Sequence, residues 1–125
     1  MKKKTRILVV DDDLNMAKTL VNILRTKGYR TEGAHTGDEA LAFAKENNFD
    51  CVLSDIKMPG MNGVELFQAF QEHHPNIPII LMTAYAPNDL LTAGAVKGVV
   101  AILNKPIDFD LLFMYLSALD NPNGF

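Results

Sequence analysis

The sequence predicts a single α/β domain in which helices cover both faces of a parallel sheet. Two observations carry this prediction. Apolar runs of about five residues alternate with helical patterns of about ten to fourteen residues, five times along the 125-residue chain. The apolar runs are continuous and do not alternate with polar residues, which is typical of strands that are buried on both faces. We therefore expect a three-layer, doubly wound (βα)5 domain spanning residues 1–125.

The five strands are predicted where the apolar runs lie, at residues 6–10, 30–34, 50–54, 79–82 and 99–103. The second run is the most polar of the five, and we therefore expect it at an edge of the sheet. Between and after the strands, the spacing of apolar residues predicts helices at about 14–27, 37–47, 63–73, 88–96 and 109–119. The fourth helix has the weakest pattern, because it contains Gly94 and few charges.

Capping residues frame four of these helices. The predicted N-caps are Asp13, Thr36, Asn62 and Asp108. Thr36 is followed three residues later by Glu39, which is the pattern of a capping box, and Glu65 follows Asn62 at the same spacing. Gly28 is predicted to stop the first helix, because glycine adopts the left-handed conformation that ends many helices.

Composition and charge argue against several classes of protein. Twelve basic residues against fifteen acidic ones give a net charge of −3, and the chain lacks the basic stripe of a nucleic-acid surface. The lysines at positions 2–4 are interpreted as a solvent-exposed segment before the first strand. No apolar run approaches the ~18 residues of a membrane span, and the first one is too short for a signal peptide. The single cysteine, Cys51, is expected to be buried in the third strand, so we expect a soluble, cytoplasmic protein without an internal disulfide.

Polar side chains stand at the ends of four predicted strands. They are Asp11 and Asp12 after the first strand, Asp55 after the third, Thr83 after the fourth and Lys105 after the fifth. If the strands are parallel and adjacent, these residues meet at one edge of the sheet. Three crowded carboxylates would raise one another's pKa unless a cation joined them, and an all-oxygen ligand set with open positions suits Mg²⁺. Asp13 is interpreted as the helix cap and not as a ligand.

These residue types together match the requirements of phosphoryl transfer. With a cation bound, one oxygen of Asp55 could attack phosphorus and form an acyl phosphate. Lys105 could pair with the carboxylate or with the incoming group, and Thr83 could donate a hydrogen bond to a phosphoryl oxygen. Taken alone, Thr83 could be an ordinary hydroxyl at a strand end and Lys105 a surface lysine. The combination at four strand ends favours a functional site.

Four segments resemble the receiver domain of two-component response regulators. They are I-L-V-V-D-D at 7–12, S-D-I-K-M-P-G-M-N-G at 54–63, M-T-A-Y at 82–85 and N-K-P-I at 104–107. The segments occur in the order and at the spacing of that family, and the resemblance covers about residues 5–120. It implies a flavodoxin-like, five-stranded parallel sheet of order 2-1-3-4-5, with the site where the strand order reverses.

The resemblance also implies roles for the acidic residues. Asp55 would accept a phosphoryl group from a phosphohistidine on a sensor histidine kinase or on a histidine phosphotransfer protein. Mg²⁺ would be bound by Asp55, by Asp12 directly and by Asp11 mostly through water. The backbone carbonyl of Lys57 would be a further ligand. Such a domain is a phospho-acceptor in signalling and not an enzyme, apart from its own phosphotransfer and autodephosphorylation.

Thr83 and Lys105 would be the switch hydroxyl and the conserved lysine of the family, and the peptide bond between Lys105 and Pro106 would be cis. Phosphorylation would draw Thr83 inward and repack the fourth helix, the fifth strand and the fifth helix, which changes the affinity for partners. Lys57 and Tyr85 stand at the two positions that tune loss of the phosphoryl group in the family. A cation and a bulky ring there predict slow hydrolysis.

The chain departs from the family pattern in two places. Ile102 stands three residues before the lysine, where the family usually has an aromatic residue that swings inward on activation. The last helix carries no charge from position 111 to 119, and its predicted outer face presents Met114 flanked by Leu111 and Phe113. We interpret this face as a surface for a homodimer or an effector.

Three other functions share part of this pattern. A haloacid-dehalogenase-like phosphohydrolase also uses an aspartate, Mg²⁺, a hydroxyl and a lysine, but it needs an acid two residues after the nucleophile, where this chain has Lys57. A flavodoxin-like FMN binder shares the fold, but the aspartates at 11–13 would repel a phosphate. A phosphorylation-independent interaction module is possible for any receiver domain, although this chain lacks none of the required residues.

Overall fold

Five strands and four helices form the described part, residues 5–84 and 96–120, of a computed structural model. The strands are β1 Arg6–Val10, β2 Arg30–Ala34, β3 Cys51–Asp55, β4 Ile79–Thr83 and β5 Ala101–Asn104. The helices are α1 Leu14–Thr26, α2 Gly37–Glu46, α3 Gly63–His73 and α4 Phe109–Asp120. No helix within these residues combines the length and the apolar character needed to cross a membrane.

All five strands are parallel and lie in the order β2-β1-β3-β4-β5, as the resemblance predicts. The polar strand β2 is at the edge, which confirms its predicted place. β1 pairs with β2 on one side and with β3 on the other, so the chain moves away from β1 in both directions. This reversal opens a crevice at the carboxyl ends of β1 and β3.

Apolar side chains fill a layer on each face of the sheet. Leu8 and Val10 belong to the layer that contains Phe67 and Phe70 of α3. Ile7 and Val9 face the opposite layer, which contains the buried residues of α1 and α4. Residues 7–10 are fully buried, which confirms that the central strands are covered on both faces.

The element boundaries differ from the predictions by one or two residues. β3 and β4 include their terminal polar residues Asp55 and Thr83, and β5 begins at Ala101, two residues later than predicted. The predicted helix at 88–96 falls almost entirely outside the described residues, and Val96 itself lies in a turn. Tyr85 also falls outside the described residues.

The helix caps agree with the sequence in all but one detail. Asp13, Thr36 and Asn62 cap α1, α2 and α3, and Asn62 with Glu65 forms a complete capping box. The predicted capping box of α2 is wrong in its second half. The Glu39 side chain accepts a hydrogen bond from the backbone N–H of His35, the residue before the cap, at 2.8 Å, and not from the N–H of Thr36 itself.

Candidate phospho-acceptor site

Three carboxylates meet at the crevice between β1 and β3. Oxygen atoms of Asp11, Asp12 and Asp55 lie within 4.8 Å of one another, which makes them a group that could hold a metal ion. Asp11 is fully buried, Asp55 is 8% exposed and Asp12 is exposed. Asp11 and Asp55 are thus buried carboxylates, and Asp12 keeps the cluster open to solvent. Such a set of oxygen donors fits a hard cation that keeps some of its waters.

Strand geometry fixes the position of Asp11. Its backbone N–H donates to the carbonyl of Ala34 at the end of β2, at 3.1 Å, so the residue continues the ladder past β1. One carboxylate oxygen accepts from the backbone N–H of Asp13 at 2.9 Å. The other accepts from the ammonium of Lys105 at 3.1 Å. Asp11 is thus held at both oxygens by the protein itself.

Lys105 enters the site from the fifth strand and lies between two acids. Its ammonium nitrogen is 3.1 Å from Asp11 Oδ2 and 3.5 Å from Asp55 Oδ2. Its backbone N–H donates to the carbonyl of Thr83 at 2.8 Å, and the peptide bond to Pro106 is cis, as predicted. Burial alone would lower the pKa of Lys105, but the hydrogen bond to Asp11 and the charge of Asp55 outweigh it and raise the pKa.

Burial also dominates the electrostatics of Asp55. Removal from water raises the pKa of its carboxyl above the ordinary value, because the charged form loses hydration. The ammonium of Lys105 opposes this rise, whereas the neighbouring charges of Asp11 and Asp12 add to it. The carboxylate of Asp55 is therefore an anion that the site does not fully neutralise.

A cleft of about 310 Å³ opens over these residues. Among the described residues its walls are Asp11, Asp12, Asp13, Asp55, Lys57, Ala84 and Lys105. Lys57 is exposed at the rim, in the loop after β3. The cleft is large enough for a phosphate-sized group beside the carboxylates, and it is open to solvent on the side of the exposed residues.

Two further residues singled out in the sequence are Asp13 and Thr83, of which only Asp13 lines the cleft. Asp13 caps α1 by accepting from the N–H groups of Asn15 and Met16, which confirms its assignment as a cap. Thr83 is 5% exposed at the end of β4, one residue beyond the β4 partner of Asp55 in the sheet, and it does not line the cleft. Its neighbour Ala84 lines the cleft in its place.

The close packing around Gly63 was not predicted from the sequence, where this residue only begins the third predicted helix. A Cβ at this position would clash with the backbone oxygen of Asp55 and would lie 2.7 Å from the Cα of Ile56. The N–H of Gly63 also donates to the carbonyl of Ile56 at 2.7 Å. The available signal was a glycine in the first turn of a helix, where alanine has the higher propensity.

Cys51 and the three histidines lie away from the cleft. Cys51 is fully buried, and burial raises the pKa of its thiol to about 12, so it is an inert core residue. His35 and His73 are exposed, but His74 is half-buried, with its ring centroid 5.5 Å from that of Phe70. The end of α3 thus packs the His74 ring against Phe70 of the core.

Comparisons with known proteins agree with the fold. The family model of the response regulator receiver domain matches residues 7–117. The transcriptional regulatory protein ZraR of Klebsiella oxytoca is 41% identical over 111 residues, which cover 89% of this chain and 25% of ZraR. The transcriptional regulatory protein GlrR of Escherichia coli is 35% identical over 111 residues, with the same coverage of 89% and 25%. The chain spans about a quarter of the length of these relatives.

Solved structures give the same result. The response regulator TrrA of Thermotoga maritima, solved in complex with Mg²⁺-BeF, has a TM-score of 0.82 at 34% identity and covers 92% of this chain and 98% of its own. The chemotaxis protein CheY4 of Vibrio cholerae has a TM-score of 0.83 at 29% identity and covers 94% and 99%. Since the family model, the relatives and the fold coincide, the protein belongs to the response regulator receiver domains of two-component signalling.

Proposed function

We propose that Asp55 is the phospho-acceptor of this receiver domain. The observation that carries the proposal is the position of its carboxylate, which ends a buried strand between two further carboxylates and an ammonium 3.5 Å away. Burial keeps this anion poorly hydrated and therefore more nucleophilic than a surface aspartate. The donor is a phosphohistidine on a sensor histidine kinase or a histidine phosphotransfer protein.

The transfer forms one bond and breaks one bond. A carboxylate oxygen of Asp55 attacks phosphorus as the P–N bond to the donor histidine breaks, and the electron pair of that bond returns to the imidazole nitrogen. Lys105 stabilises the charge on the phosphoryl oxygens, because its ammonium already faces the Asp55 carboxylate. Thr83 is assigned as the hydroxyl that moves toward the phosphoryl group afterwards and transmits the change toward β5 and α4.

Asp11, Asp12, Asp55 and the backbone carbonyl of Lys57 are the proposed ligands of Mg²⁺. The first three fit the cation because they supply only oxygen donors, and their cluster has an open side. The complex of TrrA with Mg²⁺-BeF supports the choice of metal by similarity. Bound there, the cation would supply charge neutralisation for the carboxylates and the incoming phosphoryl group.

Intact-mass measurement after incubation with acetyl phosphate tests this proposal. Wild-type protein with Mg²⁺ should gain about 80 Da, the mass of one added HPO₃. The gain should be absent without Mg²⁺ and in Asp55→Asn. The matched control is Asp13→Asn, which removes a carboxylate lining the same cleft but keeps a capping oxygen on α1, and this variant should still be modified. An adduct that persists in Asp55→Asn would overturn the assignment.

The domain's own loss of phosphate is proposed to be slow. Lys57 is exposed at the rim of the cleft, where its side chain can shield the acyl phosphate from water. Replacing it by asparagine should therefore shorten the lifetime of the adduct, measured as loss of the 80 Da species (about one HPO₃) after acetyl phosphate is removed. An unchanged lifetime would remove Lys57 from this role.

We further propose that α4 contributes to the output surface. Met114 is 57% exposed and Leu111 is 36% exposed, with Phe113 half-buried between them. These side chains form an apolar strip on a helix that carries no charge along this stretch. Sedimentation of wild type and Met114→Glu, with and without phosphorylation, tests a homodimer through this strip. Equal behaviour of the two proteins, together with unchanged affinity for an identified effector, would exclude it.

A further inference from the structure

Three arginines line a second cleft, at the opposite end of the sheet from the acidic cluster. This arginine cleft has a volume of about 230 Å³, and its described walls are Arg6, Arg25, Arg30, Thr31 and Glu32. Arg6 and Arg30 are the first residues of β1 and β2 and pair in register. The arginine cleft therefore lies at the amino ends of these strands, whereas the acidic cluster lies at the carboxyl ends of β1 and β3.

The charges that line the arginine cleft do not balance. Among its described walls, three guanidinium groups face one carboxylate, that of Glu32, which leaves a surplus of two positive charges. The Glu32 carboxylate is 3.5 Å from a terminal nitrogen of Arg6, which is a long contact. Asp50 accepts from the backbone N–H of Arg6 at 2.8 Å and does not line the cleft. Because the whole chain carries a net charge of −3, the surplus is a local feature that would attract an anion to this one place.

Two of the guanidinium groups are held in position by the protein. Arg25, near the end of α1, donates from Nε and from a terminal nitrogen to the carbonyl of Thr31, at 3.1 and 2.8 Å. The guanidinium of Arg6 lies over the ring of Phe49, 5.2 Å from its centroid, and donates to Asn47 Oδ1 at 3.3 Å. Each set of contacts uses only some of the N–H donors of a guanidinium, so both groups keep donors for a ligand.

The third guanidinium, that of Arg30, is free to move onto a ligand. Its residue is exposed, and its side chain makes no hydrogen bond or ion pair with the rest of the described chain. The backbone of Arg30 is nevertheless fixed, because its N–H donates to the carbonyl of Thr5 at 2.9 Å. Two groups already in place and one at the rim lower the ordering cost of binding.

We propose that the arginine cleft binds the phosphate group of a small ligand, either inorganic phosphate or a phosphate monoester. Guanidinium groups recognise phosphate oxygens through paired N–H donors. Donors that arrive from β1, α1 and β2 suit a tetrahedral anion, and the surplus of two positive charges matches a phosphate dianion. A carboxylate has a single charge and would use only part of this set. The proposal does not depend on the role of Asp55.

Titration with inorganic phosphate, followed by the amide signals in NMR, tests the proposal. Without Mg²⁺ and at constant ionic strength, the signals of Arg30, Thr31 and Glu32 should shift and saturate. Acetate should bind at least about tenfold more weakly, because it offers fewer charge-assisted bonds. Shifts confined to Asp55 and Lys105, or equal affinity for acetate, would overturn the proposal. Adenosine 5′-monophosphate identifies the source of the phosphate group: tighter binding than phosphate indicates a monoester, and equal or weaker binding indicates inorganic phosphate.

Loss of one guanidinium should weaken binding at this cleft. Arg30→Gln should raise the dissociation constant for phosphate about tenfold, the typical effect of losing a hydrogen bond to a charged group. The matched control is Lys97→Gln, which removes the same charge at an exposed position before β5, the strand at the other edge of the sheet. Its dissociation constant should equal that of wild type. Equal dissociation constants in Arg30→Gln and Lys97→Gln would overturn the proposal.

Removal of the carboxylate should have the opposite effect. Glu32→Gln should lower the dissociation constant for phosphate, because it takes away the negative charge that lines the cleft and frees the nitrogen of Arg6 that faces it. Glu72→Gln, at an exposed position on α3, is the control and should bind as wild type does. Circular dichroism checks that each variant is folded. A folded Glu32→Gln that binds phosphate no more tightly than Glu72→Gln would contradict the proposed site, since a purely structural glutamate predicts no gain.

Discussion

Asp55 carries its negative charge in a place where burial opposes that charge. Lys105 lies 3.5 Å away and offsets part of the cost, but Asp11 shares the same ammonium at a shorter distance. The result is a raised pKa for the Asp55 carboxyl. The proposed attack on phosphorus gains from this arrangement, because the anion is stabilised less than it would be in a complete ion pair.

The pH dependence of stability should reveal the raised pKa of Asp55. An acid whose pKa is higher in the folded state destabilises the fold as pH rises from its unfolded pKa, about 3.9, through the raised folded value. Without Mg²⁺, Asp55→Asn should therefore have a higher thermal midpoint than wild type at pH 7.5. The difference should vanish below about pH 4, where the carboxyl is protonated in both states.

Asp13→Asn is the control for this measurement, because it removes an exposed carboxylate outside the cluster and keeps a cap for α1. The gain at pH 7.5 should be absent in this variant. A lower midpoint of Asp55→Asn at pH 7.5 would mean that Lys105 stabilises the carboxylate more than burial destabilises it.

At the scale of the elements, the approach of α3 to β3 brings two backbones into contact next to Asp55, the proposed phospho-acceptor. Gly63 opens α3, and the space of its missing side chain is taken by the backbone of Asp55 and Ile56. Asn62 and Glu65 fix the same end of the helix with a capping box. The helix start and the strand end therefore form one unit that positions the Asp55 carboxylate.

Gly63→Ala should be destabilising and should also slow phosphorylation. The added Cβ must displace the backbone at Asp55, and such overpacking costs about 2 kcal/mol. Chemical denaturation measures the cost, and the rate of adduct formation with acetyl phosphate measures the displacement. Gly33→Ala is the control, because its Cβ would meet only Val21 at an ordinary 3.5 Å. Equal stability of the two variants would contradict the close approach.

Removing the Asn62 cap at the start of α3 tests the same contact between helix start and strand end. Asn62→Ala removes the acceptor of the Glu65 N–H and should lower the free energy of unfolding by about 1 kcal/mol. Asn22→Ala, at an exposed position within α1, should be neutral or slightly stabilising, because alanine has the higher helix propensity. Urea denaturation of both variants decides the point, and equal free energies would argue against the capping box.

At the scale of the whole molecule, two central strands, β1 and β3, supply the proposed metal ligands, so cation binding should stabilise the entire fold. With Mg²⁺ at about ten times its dissociation constant, the free energy of unfolding of wild type should rise by about 1.4 kcal/mol. Asp12→Asn should lose most of this gain at the same concentration, and Asp13→Asn should keep it. Thermal denaturation in calcium-free buffer, over a series of Mg²⁺ concentrations, measures this gain in stability. An equal gain in both variants would place the cation elsewhere.

Much of the fold follows from local patterns in the sequence. Continuous apolar runs predict buried strands, and caps such as Asp13 and Asn62 give helix starts to within a residue. The strand order does not follow from local patterns, because periodicity alone cannot order strands. Only the resemblance to the family predicts the observed order 2-1-3-4-5. Likewise, the acids of the site are visible as strand-end residues, whereas their shared lysine contacts depend on tertiary geometry.

The features that the sequence does not predict depend on contacts between distant elements. Gly63 is required because a strand end passes close to it, and no local pattern reports that passage. His74 is half-buried because the end of α3 lies on the core. The bond from Arg25 to Thr31 joins a helix to the outward side of an edge strand, and either residue alone would be interpreted as an ordinary surface or strand residue.

The bond between Lys105 and Asp11 joins residues 94 positions apart. During synthesis, the acids of β1 and β3 therefore emerge long before the ammonium that balances them. A chain that still lacks β5 has the proposed phospho-acceptor without its counter-charge, and closing the long loop between Asp11 and Lys105 carries an entropic cost. If Asp55 is the acceptor, as proposed, receptivity to a phosphoryl donor is a property of the completed fold, and a chain that still lacks β5 is expected to compete poorly for that donor.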